Sequence, residues 1–498
     1  MSVDTPARKL PDTPEPPARR PSGWAALRPL VLRLHFYAGL LIAPFLLVAA
    51  VTGGLYAASF QIEKVIYSDQ LSVPAADTDV PLSEQVDAAL TAHSDGELKA
   101  VWPSTGPGAT TRVLLNDPSV PEDRSLAVFV DPHTAEVAGA LESYGSSGAL
   151  PFRAWVSNLH RHLFLGEPGR FYSELAASWL GVVALGGVAL WLGRRRAQRR
   201  LRGTTGRRRT LSLHGTVGLW AALGLLVLSA TGLTWSKWTG ENIGNVKEQL
   251  GGATPAISAA GGGGHDGHGG HGSGGTAEHT DEAAHPVIGI DRVLEIARDG
   301  ENLSGPLEIV APVTGEDGVP GAYVVKQTDK QYPHHLDQIA VDSADGEVTD
   351  RLDFAEYPLL AKLTRWGIDA HQGLLFGLAN QIVLFALAAA LCLLIVWGYR
   401  MWWQRRPDSA ERLAFGRPYP RGALRRLPPV QWLPLLAVTV AVGWFVPLIG
   451  LGLLAFLALD VLLGVLARRR VGDREESTPA DRSETRATAS DRPSADRA

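Results

Sequence analysis

One cysteine, Cys392, stands among 498 residues. That scarcity excludes a disulfide scaffold, a Cys-ligated iron–sulfur cluster and a Cys-based zinc site within one chain. An excess of one charge is missing too. Basic residues number 47 against 51 acidic ones, a formal net charge of −4, so nothing points to nucleic acid. No phosphate-cradling or dinucleotide motif is present, because none of the glycine-rich stretches follows a strand and opens a helix. What the chain has instead is long apolar runs. Hydrophobic residues make up 45%, yet the mean hydropathy is only +0.03 because polar blocks dilute the runs. A purely soluble enzyme is excluded, and the lipid bilayer is the first partner implied.

A bilayer core about 30 Å thick takes about 20 apolar residues as a helix. Runs at Leu34–Phe60, Leu175–Gly193, Leu211–Ser236 and Gly373–Tyr399 meet that length. From Val430 the chain stays apolar to Leu459 and resumes to Ala467, too long for one span, and Pro447 with Gly450 offers a turn. That stretch reads as a hairpin, giving six spans. Arginine clusters lie in the N-terminal tail, at Arg194–Arg209, between Arg400 and Arg426, and at Arg468–Arg470. With six spans all four are cytoplasmic, as the positive-inside rule requires, and both termini of this cytoplasmic-membrane protein are inside. The first run is too long for the core of a cleaved signal and follows a polar tail, so it reads as an uncleaved anchor.

The expected fold class is an all-α membrane bundle, a four-helix core plus a C-terminal hairpin, carrying two α+β extracytoplasmic domains. A disordered tail covers 1–29, the first span 30–60, an outer domain 61–150 and an outer amphipathic element 151–173. The second span, 174–193, and the third, 211–236, flank an Arg-rich cytoplasmic loop at 194–210. A linker with a His/Gly-rich insertion, 237–286, leads to the second outer domain, 287–355. The fourth span with its lead-in occupies 356–403, a basic loop 404–428, the hairpin 429–467 and a disordered tail 468–498.

The two halves repeat. His35 is followed by Gly39 at +4 and Thr52-Gly53 at +17 and +18, and His214 by Gly218 and Thr231-Gly232 at the same offsets. The outer segments end alike, in Val130-Asp131 to Glu136-Val137 and Val341-Asp342 to Glu347-Val348, as two strands around a polar turn would. Parallel repeats put equivalent residues at equivalent depths. His35 and His214 begin outward-running spans near the cytoplasmic face. His371 begins an inward-running span near the outer face, and His160 and His162 precede the second span, also outside. Ionisable residues at such positions are rare and costly. A single histidine there can simply be a hydrogen-bonded interface residue, but two at each level, on different helices, is the arrangement for two bis-histidine haems. Gly39 and Gly218 would leave room for a porphyrin face, or merely let helices pack closely. His160 and His162 flank an apolar stripe of Phe152, Trp155, Val156, Leu159 and Leu163 on opposite sides, so pattern alone does not choose between them.

The segments Leu34-His35-Phe36-Tyr37-Ala38-Gly39 with Thr52-Gly53, Leu159-His160 through Leu165-Gly166, Leu213-His214-Gly215 with Thr231-Gly232, and His371-Gln372-Gly373 resemble PepSY-associated transmembrane proteins, often called iron-regulated membrane proteins. The resemblance implies a four-helix core with two extracytoplasmic PepSY domains. For the ferric-siderophore-reductase branch it implies b-type haems carrying electrons across the membrane, and it favours His160 over His162.

Gly261 to His285 carries His265, His268, His271, His279 and His285 on a glycine-rich chain. Imidazoles on such a chain can converge on Cu, Zn or Ni, or the segment can be a linker that chelates adventitiously. Two functions of different class therefore compete. In one, an unknown cytoplasmic donor feeds a haem b at His35 and His214, then a second at His160 and His371, and electrons reach an extracytoplasmic ferric siderophore or Cu(II). In the other, the chain is a non-catalytic metal-binding or protease-regulating protein. A metal transporter fits less well, since Asp460 is the one acidic residue within the spans.

Overall fold

The computed structural model describes residues 23–193, 206–258, 288–314, 320–334, 336–405 and 429–476. In chain order the first half is α1 (Trp24–Leu41), α2 (Ala43–Ile66), a single turn α3 (Ser68–Leu71), α4 (Leu82–Ala92), strands β1 (Glu97–Trp102), β2 (Thr111–Asn116), β3 (Arg124–Val130) and β4 (Val137–Tyr144), then α5 (Pro151–His162) and α6 (Glu167–Leu192). The second half is α7 (Gly206–Leu233), α8 (Trp238–Gln249), α9 (Ile290–Glu295), β5 (Leu307–Val310), β6 (Ala322–Gln327), β7 (Gln338–Asp342), β8 (Val348–Leu352), α10 (Leu359–Gln372) and α11 (Leu378–Trp403). Two further helices follow, α12 (Pro429–Phe445) and α13 (Pro447–Glu476).

Five helices are long and apolar enough to cross a membrane: α2, α6, α7, α11 and the Pro447–Leu466 part of α13. Within α12, Val430–Phe445 is apolar but shorter. Helices α2, α6, α7 and α11 close a ring in which each packs against its two neighbours, and α1 lies against α6. Their outward faces stay apolar, with Trp220 83% and Leu223 74% exposed. Such apolar faces suit contact with lipid. In the second compact unit, from Val438 onward, α12 ends and α13 begins at a tight turn. There Gly443 and Gly450 approach so closely that a Cβ on either would lie 3.0–3.1 Å from the other's backbone.

The first expected span, 30–60, is not one helix. It breaks at Ile42 into α1 and α2. Pro44, in the first turn of α2, has no N–H to offer the carbonyl of Leu40 four residues back. That carbonyl accepts the Tyr399 hydroxyl instead, at 2.9 Å. The corresponding helix of the second half, α7, runs unbroken.

The two segments expected as separate outer domains share one sheet. All eight strands form a single antiparallel sheet in the order β4-β3-β2-β1-β5-β6-β7-β8. The seam is narrow: Ala100 pairs with Val310 and Val101 with Ile309. It removes two apolar edges that would otherwise stand open, and Val101 and Ile309 are fully buried. One core cluster continues across it, joining Leu82, Val86 and Ala89 of α4 to Val293 of α9 and to Ala297. Ser83 ties the two helices together by donating its backbone N–H and its hydroxyl to Asp291. The hairpins that looked alike in sequence are alike in structure. Asp131 and Asp342 each donate their N–H to the carbonyl of the glutamate five residues on, at 2.8 Å, and both hairpins shift register one residue before that aspartate. The face of the sheet opposite α4 packs through Tyr67, Leu71 and Leu150 in the first half, and through Phe354, Tyr357 and Trp366 in the second. These residues seat the sheet on the end of the bundle that α5 and α10 occupy.

Candidate functional site

His35 lies on α1 and His214 on α7, and their ring centres are 6.3 Å apart with planes at 78°. Each ring reaches a neighbouring helix. Nδ1 of His35 is 3.1 Å from the carbonyl of Val183 on α6, and Nδ1 of His214 is 3.1 Å from the carbonyl of Leu394 on α11. A carbonyl can only accept, so both rings carry their proton on Nδ1 and leave the Nε2 lone pair available. Gly186 and Gly187 make room for His35; a Cβ at Gly187 would sit 3.3 Å from its Cε1. A Cβ at Gly39 would meet nothing within 4 Å, so the space one turn beyond His35 is open.

The second pair is carried differently. His160 is near the end of α5 and His371 near the end of α10, two amphipathic helices that lie outside the five spans. His371 therefore precedes its span instead of beginning it, and in this it matches His160. Their ring centres are 6.5 Å apart with planes at 43°. Nδ1 of His160 meets the Thr52 hydroxyl at 2.9 Å, and Nδ1 of His371 meets the Thr231 hydroxyl at 2.8 Å. The adjacent glycines clear space for the rings, since a Cβ would fall 3.1 Å from His160 at Gly53 and 3.4 Å from His371 at Gly232. The repeated Thr-Gly doublets thus form one half of the second pair's seat. Trp235 stands edge-on to His371, with ring centres at 5.3 Å. Burial pushes the pKa of both histidines below the usual value, so each ring is neutral and fit to ligate.

The carrier helices are clamped at their own ends. Glu63, 5% exposed at the end of α2, accepts the N–H of Leu150 and the Nε–H of Arg153, both at 2.7 Å. It thereby caps α5 and fixes it to the bundle. Arg153 also donates to the carbonyls of Ser147 and Gly148 and lies over the Phe60 ring. For α10, Asn380 donates to the carbonyl of Ala370 and Gln381 to that of Gly373, while Gln61 of α2 donates to Gln381. Asp369 accepts from Arg365 at 3.1 Å. Burial raises its carboxyl above the usual range, against the pull of Arg365. The turns after both carriers hold residues at positive φ: Phe164 and Gly166 (φ 56° and 61°), Phe376 and Gly377 (φ 57° and 54°). Gly166 and Gly377 each lie six residues past the histidine, a third repeat that could have been read from the sequence.

Two imidazoles ligating one ion from opposite sides need about 2 Å per metal–nitrogen bond and about 1 Å more to each ring centre, about 6 Å in all. Both pairs meet that spacing with Nε2 available. Among the described residues no group of three or more His, Cys, Asp or Glu side chains is placed to hold a metal ion. Paired histidines without further ligands suit a metal whose remaining ligands come with it, as in a porphyrin. His162 does not join its neighbour: it faces Phe164, and its Nδ1 has no hydrogen-bond partner. His133, outside both pairs, has Nδ1 2.9 Å from Asp79. His265, His268, His271, His279 and His285 lie outside the described residues.

Residues 32–405 match the family described as PepSY-associated TM region. The chain belongs to that family. As a PepSY-associated TM protein with five long apolar helices it is a multi-pass membrane protein. It is also 42% identical over 84 residues to the uncharacterized protein PA4219 of Pseudomonas aeruginosa, a stretch covering 17% of this chain and 21% of that relative's length. All four histidines of the two pairs lie within the family match.

Proposed function

We propose that this chain is a haem-b protein that passes electrons across the cytoplasmic membrane to reduce an extracytoplasmic metal species, a ferric siderophore or Cu(II). The observation that carries the reading is the doubling of the histidine pair. His214 and Thr231, which mark the levels of the two pairs on α7, are 17 residues apart, about 25 Å along a helix. One pair would serve a local site; two at that separation reach most of the way across a bilayer core. The arginine runs before α7 and after α11 support a cytoplasmic position for the His35–His214 end.

His35 with His214 would hold one haem and His160 with His371 the other. Bound there, haem b supplies a one-electron couple at each level. The protein's own contribution is ligand identity, burial and the hydrogen bonds at Nδ1, which govern potential and ligand orientation. The decisive experiment is a dithionite-minus-oxidised spectrum with a pyridine haemochrome assay on purified protein. About two b-type haems per chain is the expected result; a colourless protein expressed with ample haem defeats the proposal.

A further inference from the structure

The two pairs differ at the atom that Nδ1 touches. On the cytoplasmic side both rings donate to main-chain carbonyls, Val183 and Leu394. On the outer side both rings meet a threonine hydroxyl, His160 with the backbone carbonyl of Ala49 beside it as well, and each hydroxyl also contacts its own helix. Thr52 Oγ1 donates to the carbonyl of Val48 at 2.8 Å, and Thr231 Oγ1 to the carbonyl of Val227, also at 2.8 Å. Bonding back to the carbonyl four residues earlier is an ordinary way to satisfy a hydroxyl inside a helix. What is unusual is that both oxygens also face a buried imidazole nitrogen, at equivalent places in the two halves. A hydroxyl has one proton, and the carbonyl can only accept it. With that proton on the carbonyl, the oxygen accepts from Nδ1–H, and both rings then hold the tautomer whose Nε2 can ligate.

An acceptor at Nδ1–H raises the basicity of the imidazole. A more basic ligand favours ferric over ferrous iron and lowers the potential. A main-chain carbonyl carries more negative charge than an alcohol oxygen and is the stronger acceptor. We infer that Thr52 and Thr231 are positioning residues that hold the outer histidines as Nε2 ligands, and that the exchange of carbonyl for hydroxyl, complete at His371 and shared with Ala49 at His160, sets the outer haem at a higher potential than the inner one. With haem held at both levels, an electron would move outward downhill, one ferrous centre being oxidised and one ferric centre reduced. No proton moves with it, because each Nδ1–H stays on its ring. This inference rests on the haem reading above.

The test is a spectropotentiometric titration of purified, haem-loaded full-length protein, comparing wild type with Thr52→Val, Thr231→Val, Thr52→Ser and Thr231→Ser. Wild type should give two resolved components. Each valine variant should either move the higher component further up with the lower one in place or lose the outer haem alone, and each serine variant should restore the wild-type curve. A single component in wild type, a valine variant that moves the lower component, or valine variants identical to wild type overturns the inference while two haems still bind. Protein that takes up no haem overturns the proposed function and this inference with it.

Discussion

The two histidine pairs have nearly the same ring spacing, 6.3 and 6.5 Å, but reach it by different supports. His35 sits on α1, which runs into the spanning helix α2, and His214 on the spanning helix α7, and both are fixed by how α1 and α7 pack against α6 and α11. His160 and His371 sit on α5 and α10, which do not cross the bilayer. Their positions depend on threonines below, on Glu63 and Arg153 at the end of α2 and start of α5, and on the fused sheet above. The first pair is therefore a property of the bundle. The second is a property of the joint between bundle and sheet, and damage to that joint should affect one pair only.

The largest effect tests that independence. Alanine at His35 or His214 should remove one haem and leave the other, and alanine at His160 or His371 should do the converse. Pyridine haemochrome stoichiometry should fall from about two to about one in every case. Loss of both haems from a single outer substitution would mean the pairs are not independent. The next effect attacks the joint alone. Arg153 and Glu63 form an ion pair with side chains only 7% exposed, and breaking such a pair strands a buried charge at a cost of about 3–5 kcal/mol. Arg153→Met should lower the thermal midpoint and strip the outer haem while the inner one remains. Equal loss of both signals would erase the distinction between bundle and joint.

The inner pair was the more legible in the sequence, for the same physical reason. A histidine inside an apolar run stands out, and the offsets shared by His35 and His214 give their common depth without any tertiary information. The spans were legible because apolar length is a local property, although Pro44 split the first run where a proline in a membrane helix is often tolerated. The outer pair was half legible. The Thr-Gly doublets were visible as a repeat, but nothing in their spacing says that each oxygen meets a ring on α5 or α10. His160 could not be separated from His162 by pattern, because the choice is made by Thr52 on another helix. The joining of the strands into one sheet was invisible: the seam is two residue pairs, and Val101 and Ile309 would read as buried strand residues in separate domains too. Glu63 and Arg153 lie 90 residues apart, and no local signal links them.

The smallest effect sharpens the comparison from the sheet side. Lys330, in the loop between β6 and β7, donates from Nζ to the carbonyl of Ser146 at 2.8 Å, tying the second half of the sheet to the loop before α5. Burial, with Arg365 nearby, holds its pKa down to about 8 from the usual 10.5. In the unfolded chain the ammonium keeps its proton to higher pH. Below about 8 both states are charged and the cost of burying the ammonium is constant. Between about 8 and 10.5 the unfolded state binds more protons, so this group makes stability rise with pH. The neutral amine can still donate to Ser146. Thermal midpoints of wild type and Lys330→Met, compared from pH 7 to 10, should therefore move in wild type's favour above about pH 8 and stay parallel below it. The inner haem signal should be indifferent to the substitution throughout. A difference that stays flat across the whole range would mean that Lys330 is solvated in the folded protein, and that the joint holding the outer pair is looser at this corner than the bundle that holds the inner one.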